Sequence, residues 1–362
     1  MSESSQFPFS PAENRRYARH FALPQIGSEG QRKLKDAKVL CIGAGGLGSP
    51  LLLYLAAAGV GTVGICDFDT VAESNLQRQI LFTTDDLGKN KAKQAKIRLL
   101  QLNPHLNIRV HPYRLTTQNA LALFADYDLI ADGSDNFPTR YLVNDACVLT
   151  GKPLVFGAVS RFEGQVSVFN LLRAEGTRGP DYRDLFPAPP APGTVLNCAE
   201  AGVLGVLPGI IGSMQANEVI KIITGVGTPL DGKLFVFDAA EFTSRTLKIR
   251  KRSDTPVTEL INYEHFCGEK TATLSHAELI DLRNSKKDFL LIDVRSAEEH
   301  AHRNIGGEII PLTDLPRRVA EIPRNQTIVL YCQSGQRSAQ AVRILTEAGY
   351  ERVFSLEAGI GR

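Results

Sequence analysis

The sequence predicts an α/β protein: a large mixed sheet flanked by helices, followed by a smaller α/β domain. Two observations carry this. Between Lys38 and Cys66 an apolar run, a glycine turn, a helix-forming apolar run and another short apolar run succeed one another, and from Phe289 onward a second alternating pattern begins. Between the two patterns, Arg250 to Glu269 (RKRSDTPVTELINYEHFCGE) becomes charged and turn-forming and reads as a linker. The expected domains are 1–268 and 269–362.

With 362 residues the chain is long enough for two cores. Its 43% apolar and 22% charged residues are ordinary for a globular protein, and a formal charge of +2 gives no reason to expect nucleic acid or a membrane surface as partner. The six cysteines are scattered, with no CxxC pair, which argues against a disulfide framework and fits a reducing cytoplasm. The N-terminus, MSESSQFPFSPAENRR, lacks a basic start followed by an apolar core, so no signal peptide is expected. Met1 to Glu13 reads as a mobile arm and Arg15 to Lys35 as helical.

In the first pattern, the strand Lys38–Ile42 runs straight into Gly43, Gly45, Gly46 and Gly48, where backbone can turn tightly and lie against phosphate. Leu51 to Ala58 then forms a helix whose first amides and positive dipole end face an anion in the turn. The next strand, Val63–Cys66, ends in Asp67, close to where an acidic side chain hydrogen-bonds a ribose. Together these predict a Rossmann-like nucleotide site. Glycines alone would equally suit an NAD or FAD oxidoreductase, but Ser74-Asn75-Leu76-Gln77-Arg78-Gln79 and then Lys91 place two cations and an amide just beyond the ribose acid. Those suit a triphosphate, with Arg78 and Lys91 neutralising the β- and γ-phosphates and the departing pyrophosphate. The strand Tyr127–Ile130 closes in Ala131-Asp132-Gly133-Ser134-Asp135-Asn136, with a carboxylate suited to Mg²⁺.

Other segments are structural. Leu51–Cys66 and Val203–Ile211 imitate membrane spans, but Gly59, Gly61, Gly64 and Pro208 interrupt them, so both read as buried core. Lys89–Leu102 predicts a helix with a solvated lysine side and with Ile97, Leu99, Leu100 and Leu102 toward the core. Leu154–Val159 and Gln165–Phe169 read as strands, the latter beginning the return of the sheet.

GAGGLGS, DFDTV, SNLQRQ, LGKNKA and DGSDN, in that order, resemble the ubiquitin-activating-enzyme superfamily over about Arg15 to Gly268, and most of all its bacterial molybdopterin-synthase and thiamine-pathway adenylyltransferases. The resemblance implies ATP-dependent adenylation of the C-terminal glycine of a small ubiquitin-like sulfur-carrier protein ending in Gly-Gly. It puts Gly46, with Gly43 and Gly45, under the phosphates and Asp67 on the ribose. Asn75 and Arg78, within Ser74-Asn75-Leu76-Gln77-Arg78, and Lys91 fall on the phosphate chain, and Asp135, beside Asn136, falls on Mg²⁺. Arg19, in RRYARH, matches an arginine that such proteins extend into the partner subunit's site, which implies a homodimer. Asn197-Cys198-Ala199-Glu200 resembles the segment bearing the family's thioester-forming cysteine, and the proline-rich Phe186–Gly193 before it suggests a flap across the adenylation site. The plainer reading of Cys198, as of any unpaired cysteine, is a small buried apolar residue. Many relatives hold structural zinc with two CxxC pairs, whereas this chain has Asp181-Tyr182-Arg183-Asp184 at the first position and only Cys267 near the second. No zinc is therefore expected.

In the second pattern, Phe289–Ile292 ends in Asp293-Val294-Arg295, followed by Glu298-Glu299-His300. Thr327–Tyr331 ends in Cys332-Gln333-Ser334-Gly335-Gln336-Arg337-Ser338, followed by a helix from about Ala339 to Ala348. Amides facing into the loop between Cys332 and Arg337 would lower the thiol's pKa, and the loop, shorter than that of a protein tyrosine phosphatase, suits one sulfur atom. With Asp293-Val294-Arg295 and the downstream Gly349-Tyr350 and Val353, Thr271–Arg362 resembles a rhodanese domain, which implies a persulfide on Cys332 with Arg337 beside it. The chain stops at Gly359-Ile360-Gly361-Arg362, so the last packing element is expected to be abbreviated. The combined expectation is a multifunctional cytoplasmic enzyme that adenylates a carrier of the molybdopterin-synthase type. It would then transfer sulfur to the carrier from Cys332, charged by a cysteine desulfurase or by thiosulfate. The alternative is a nucleotide-binding docking module with a recruitment tail.

Overall fold

The structure, a computed structural model, describes residues 9–190, 202–252, 256–267, 272–285 and 288–361. The chain divides into two compact units, Met1–Gly268 and Glu269–Arg362.

The first unit is built on one eight-stranded sheet. β1 (Lys38–Ile42), β2 (Thr62–Cys66), β3 (Asn107–His111), β4 (Leu129–Asp132) and β5 (Leu154–Ser160) are parallel in the order β3-β2-β1-β4-β5. β6 (Glu163–Phe169), β7 (Lys233–Asp238) and β8 (Thr243–Lys248) extend it antiparallel. Strand order reverses between β1 and β4, the switch point at which such sheets bind ligands. Ile42 is in register with both Cys66 and Asp132, so the glycine turn, Asp67 and the Asp132–Asn136 loop emerge at one edge.

Two apolar layers cover the sheet. Leu34, Leu51, Leu55, Leu99 and Val219 pack on one face, and Phe124, Tyr141, Phe156, Phe169 and Tyr182 on the other. The helix Gly48–Ala58 starts so close to the turn that a Cβ on Gly48 would lie 2.1 Å from the Gly43 carbonyl oxygen, and Gly43 itself has φ +86°. Only glycine fits there. Pro208 lies in the first turn of the helix Leu207–Thr224, where an amide has no intrahelical acceptor, so it starts that helix rather than interrupting an apolar run. Among the described residues no helix is long and apolar enough to cross a membrane.

Three sequence expectations need correction. Residues 1–8 lie outside the described residues, but Phe9 and Glu13 are buried, with Glu13 paired to Lys35 at 2.8 Å, so the expected arm is anchored from Phe9 on. In the helix Lys91–Leu102, Leu99 is buried while Ile97 and Leu102 are 50% and 38% exposed. And the segment taken as linker contributes to the first core: Tyr263 is buried, with Leu260, Ile261, Phe266 and Cys267 packed alongside.

That segment meets Asp181–Asp184. Asp145 accepts from Arg183 Nε and Nη2 at 2.8 and 2.7 Å, from Tyr263 Oη at 2.7 Å and from Asn144 Nδ2 at 3.1 Å. The Arg183 guanidinium lies over the rings of Tyr141 and Phe266. Asp181 and Asp184 close a capping box on the short helix Tyr182–Leu185. One cysteine and a consumed ion-pair network do not fit a tetrahedral thiolate zinc site.

The second unit is a five-stranded parallel sheet of β9 (Thr273–Leu274), β10 (Phe289–Asp293), β11 (Glu308–Ile309), β12 (Thr327–Tyr331) and β13 (Val353–Leu356), in the order β11-β10-β12-β13-β9. Leu279, from the helix His276–Asn284, packs with Leu291 and Val329 on one face, while Ala341 and Leu345, from the helix Gln336–Glu347, pack with Ile292 and Leu330 on the other. Ile360 is buried in the first of these layers. Asp293 pairs in register with Tyr331, so the loops after both strands share an edge.

Candidate functional site

At the edge where β1, β2 and β4 end lies a cleft of about 260 Å³, walled by Gly43, Gly45, Gly46, Asp67, Arg78, Lys91 and Asp135 among others. Asp67 Oδ2 accepts from the Ala44 amide and Oδ1 from the Asp69 amide, both at 2.8 Å, which fixes the carboxylate beneath the turn. Burial pushes its pKa up, against the opposing pull of those amides and of Lys91. Lys91, buried at the start of its helix, reaches Asp69 Oδ2 at 3.3 Å. Arg78 enters the cleft with Nη1 donating to the Ser74 carbonyl at 3.1 Å. Asp135 and Asn136 are exposed on the lip, and Asn136 caps the helix Phe137–Thr150 through the Thr139 amide at 3.0 Å.

Not every residue marked in the sequence reaches this cleft. Ser74, Asn75, Leu76 and Gln77 do not line it; Asn75 Oδ1 instead accepts from the Ala72 amide at 3.3 Å. Arg19 is exposed on the short helix Ala18–Phe21 and does not line the cleft of its own chain. Cys198 lies outside the described residues, as do Ala191 to Gly193 of the proline-rich run. From the described part of that run, Phe186, Ala188 and Pro190 border a second, apolar cleft with Phe137, Phe156 and Tyr182.

Residues not given a role from the sequence, Asp69 and Arg140 among them, also line the first cleft, as does Gln79 at the end of the SNLQRQ stretch. Among the described residues, the buried atoms Gln79 Oε1, Ser134 Oγ and Arg140 Nε have no hydrogen-bond partner, nor does Asp132 Oδ2. Unsatisfied polar atoms around a cleft are what a polar ligand would complete. Gln79 directly follows Arg78, and Arg140 lies one helical turn past Asn136, so the i, i+4 rule could have found it.

In the second unit, the thiol of Cys332 sits at the base of its loop, buried. The Ser338 amide donates to Sγ at 3.4 Å and Ser338 Oγ lies 3.5 Å away. Burial raises the thiol's pKa, but the Ser338 hydroxyl and the amides of Ser338, Ser334 and Arg337 outweigh it, and the net shift is downward. Ser338 Oγ is in turn 2.7 Å from Ser355 Oγ, a buried pairing that no local motif announced. Arg337 points to Glu299: Nη1 and Nη2 donate to Oε2 and Oε1 at 2.7 and 2.6 Å. Arg295 is clamped to Asp293, which also holds His300 Nδ1 at 2.9 Å.

Residues 17–257 match the ThiF family and residues 275–361 the Rhodanese-like domain. The chain is 49% identical over 364 residues to the probable adenylyltransferase/sulfurtransferase MoeZ of Mycobacterium tuberculosis, covering 97% of this chain and 93% of that protein. It is 54% identical over 260 residues to the sulfur carrier protein adenylyltransferase of Thermus thermophilus, covering 70% of this chain and 96% of that one. A crystal structure of E. coli MccB with ATP aligns with a TM-score of 0.56 at 25% identity, covering 67% of this chain and 74% of that chain. With its glycine turn, cation-bearing cleft and C-terminal cysteine loop, this chain belongs to the ThiF family and carries a rhodanese-like domain.

Proposed function

We propose that this protein is an adenylyltransferase and sulfurtransferase. It spends ATP to activate the C-terminal glycine of a small ubiquitin-like sulfur-carrier protein and then delivers sulfur from Cys332. The observation that carries the reading is the presence, in one ThiF-family chain, of a cleft furnished with Arg78, Lys91 and Arg140 at a glycine turn and of a loop that favours a cysteine thiolate.

The cleft fits a nucleoside triphosphate. Gly43, Gly45 and Gly46 let backbone approach the phosphates, Asp67 lies where the ribose hydroxyls would come, and the unsatisfied Gln79, Ser134 and Arg140 atoms add polar partners. Asp135 is the candidate Mg²⁺ ligand. Mg²⁺ typically takes one or two protein carboxylates and fills its shell with phosphate oxygens and water. Bound there, Mg²⁺ would offset negative charge as pyrophosphate leaves. Arg19 would serve the neighbouring subunit of a homodimer.

A carboxylate resists nucleophiles, so activation comes first. The glycine carboxylate attacks the α-phosphorus and pyrophosphate departs, with Arg78 and Lys91 stabilising its charge. The outer sulfur of a Cys332 persulfide then attacks the acyl carbon, AMP leaves and an acyl disulfide forms. A second thiol attacks the Cys332 sulfur and frees the thiocarboxylate, leaving a disulfide that a cellular dithiol resets. Cys198 is the candidate for that thiol, or for a thioester formed before it.

Replacing Cys332 by Ala should abolish thiocarboxylate formation on a carrier ending in Gly-Gly, read by intact mass, while ATP–pyrophosphate exchange continues. Loss of both activities would overturn the division of labour. A carrier of the molybdopterin-synthase type is the first to test.

A further inference from the structure

Sulfur donors differ in charge, so the charges around Cys332 bear on which of them the loop can accept. Two guanidinium groups flank the loop. Arg295 is 2% exposed and bound to Asp293, with its remaining donors on the Arg303 carbonyl at 2.6 Å and Gln333 Oε1 at 3.3 Å. Arg337 is forked onto Glu299, and these two side chains are 39% and 38% exposed, within reach of an arriving donor. The loop's own side chains, Gln333, Ser334 and Gln336, are uncharged. Each guanidinium is therefore matched by one carboxylate.

Glu299 is also fixed in place. Its amide donates to Ser296 Oγ at 3.2 Å and its Oε2 accepts from the Ser296 amide at 3.1 Å, the reciprocal pair of a capping box. The fork with Arg337 holds its pKa down to about 2, so it stays ionised at any working pH.

We propose that Glu299, by occupying Arg337, is a specificity-determining residue that disfavours anionic sulfur donors and leaves the loop suited to a cysteine persulfide on a donor protein. The inference rests on the reading of Cys332 as a sulfur carrier. With thiosulfate, the Cys332 thiolate attacks the outer sulfur, the S–S bond breaks and sulfite leaves as a dianion, leaving Cys332–S–S⁻. That approach and departure call for an unmatched cation, and the Glu299 carboxylate competes for the same two N–H donors. With a persulfide R–S–SH, the thiolate attacks the outer sulfur, R–S⁻ leaves with a single charge and Cys332–S–SH forms, a balance that the loop amides can support.

The test uses the full-length protein and its Glu299→Gln variant, with sulfur loading from thiosulfate and from free cysteine persulfide followed separately. Freeing one charge-assisted donor pair should raise kcat/KM for thiosulfate by about tenfold or more, while loading from cysteine persulfide changes by less than about twofold. Glu299→Asp, which keeps the charge, should stay nearer the wild type, and adding Arg337→Gln to Glu299→Gln should cancel the gain. Thiosulfate turnover that is unchanged or lower, or an equal rise with both donors, overturns the proposal. If wild-type Cys332 gains no sulfur mass from either donor, the underlying reading falls, and this one with it.

Discussion

Asp145 offers the sharpest test of how this protein holds its first domain together where the segments around Arg183 and Tyr263 meet. Its carboxylate is 1% exposed and takes four hydrogen bonds, two from the Arg183 fork, one from Tyr263 and one from Asn144. The Asp145→Asn substitution keeps the shape but removes the charge, leaving Arg183, only 12% exposed, without its counter-ion against the rings of Tyr141 and Phe266. Breaking one side of a buried pair costs ~3–5 kcal/mol. The Arg183 side retains some water contact, so the low end of that range is the expectation, about 3 kcal/mol. For a domain of this size each kcal/mol lowers Tm by roughly 2–4 °C, so the first unfolding transition should fall by roughly 6–12 °C. Differential scanning calorimetry of the full chain, with urea titration followed by tyrosine fluorescence, would read it. Because the pair is buried, moderate salt should leave the difference nearly intact. The double variant Asp145→Leu/Arg183→Met should recover part of the loss, since it leaves no lone buried charge. A cost below ~1 kcal/mol for Asp145→Asn, or stoichiometric zinc in the purified protein by metal assay, would refute the view that this ion pair and its aromatic cover hold the site.

Replacing Ser338 by Ala should move the pH profile of Cys332 alkylation to higher pH: the hydroxyl and amides hold the thiol down, the thiolate is the reactive form, and removing a donor leaves less of it at a given pH. Iodoacetamide labelling of the variant should be several-fold slower near neutrality and converge with the wild type in strong alkali; superimposable profiles would remove Ser338 from the set. Asp135→Asn should lower ATP–pyrophosphate exchange by about 10²–10³, the scale for losing one group that stabilises developing charge, and the magnesium needed for half-maximal exchange should rise. Unchanged magnesium dependence would count against Asp135 as a ligand.

What the sequence disclosed was local. The glycine turn, Asp67 and the Cys332 loop each lie within a few residues of a strand end, so strand, turn and helix onset announced them together. Residues that meet only through sheet order were hidden: Arg337 and Glu299 are 38 positions apart, and Tyr263 and Asp145 are 118 apart. Ser355 became visible only once β13 was laid beside β12. The linker was misjudged because composition counts charges, whereas Tyr263 and Phe266 are buried by an aromatic cluster that no window of residues contains. Ile97 and Leu102 are apolar, but they point away from the stripe that Ala92, Ala95 and Leu99 bury, so apolar character alone chose the wrong face.

The same local device, a parallel strand ending in a tight loop before a helix, serves both units, and what distinguishes them is how charge is matched around it. In the first cleft Arg78 has no carboxylate partner among the described residues, and Lys91 shares its cleft with a half-exposed Asp69, so positive charge remains for a polyanion. Around Cys332 both guanidinium groups are already paired with carboxylates, and the sulfur's charge is met by amides and one hydroxyl. Amide dipoles converging on a point suit a single sulfur anion, whereas side-chain cations along a groove suit charge spread over several phosphates. Exchanging the two arrangements would fail both ways: a neutral loop could not hold departing pyrophosphate, and an unmatched cation at the thiol would draw in every small anion of the cell. The two chemistries therefore call for two sites, each matched to the charge that it must hold.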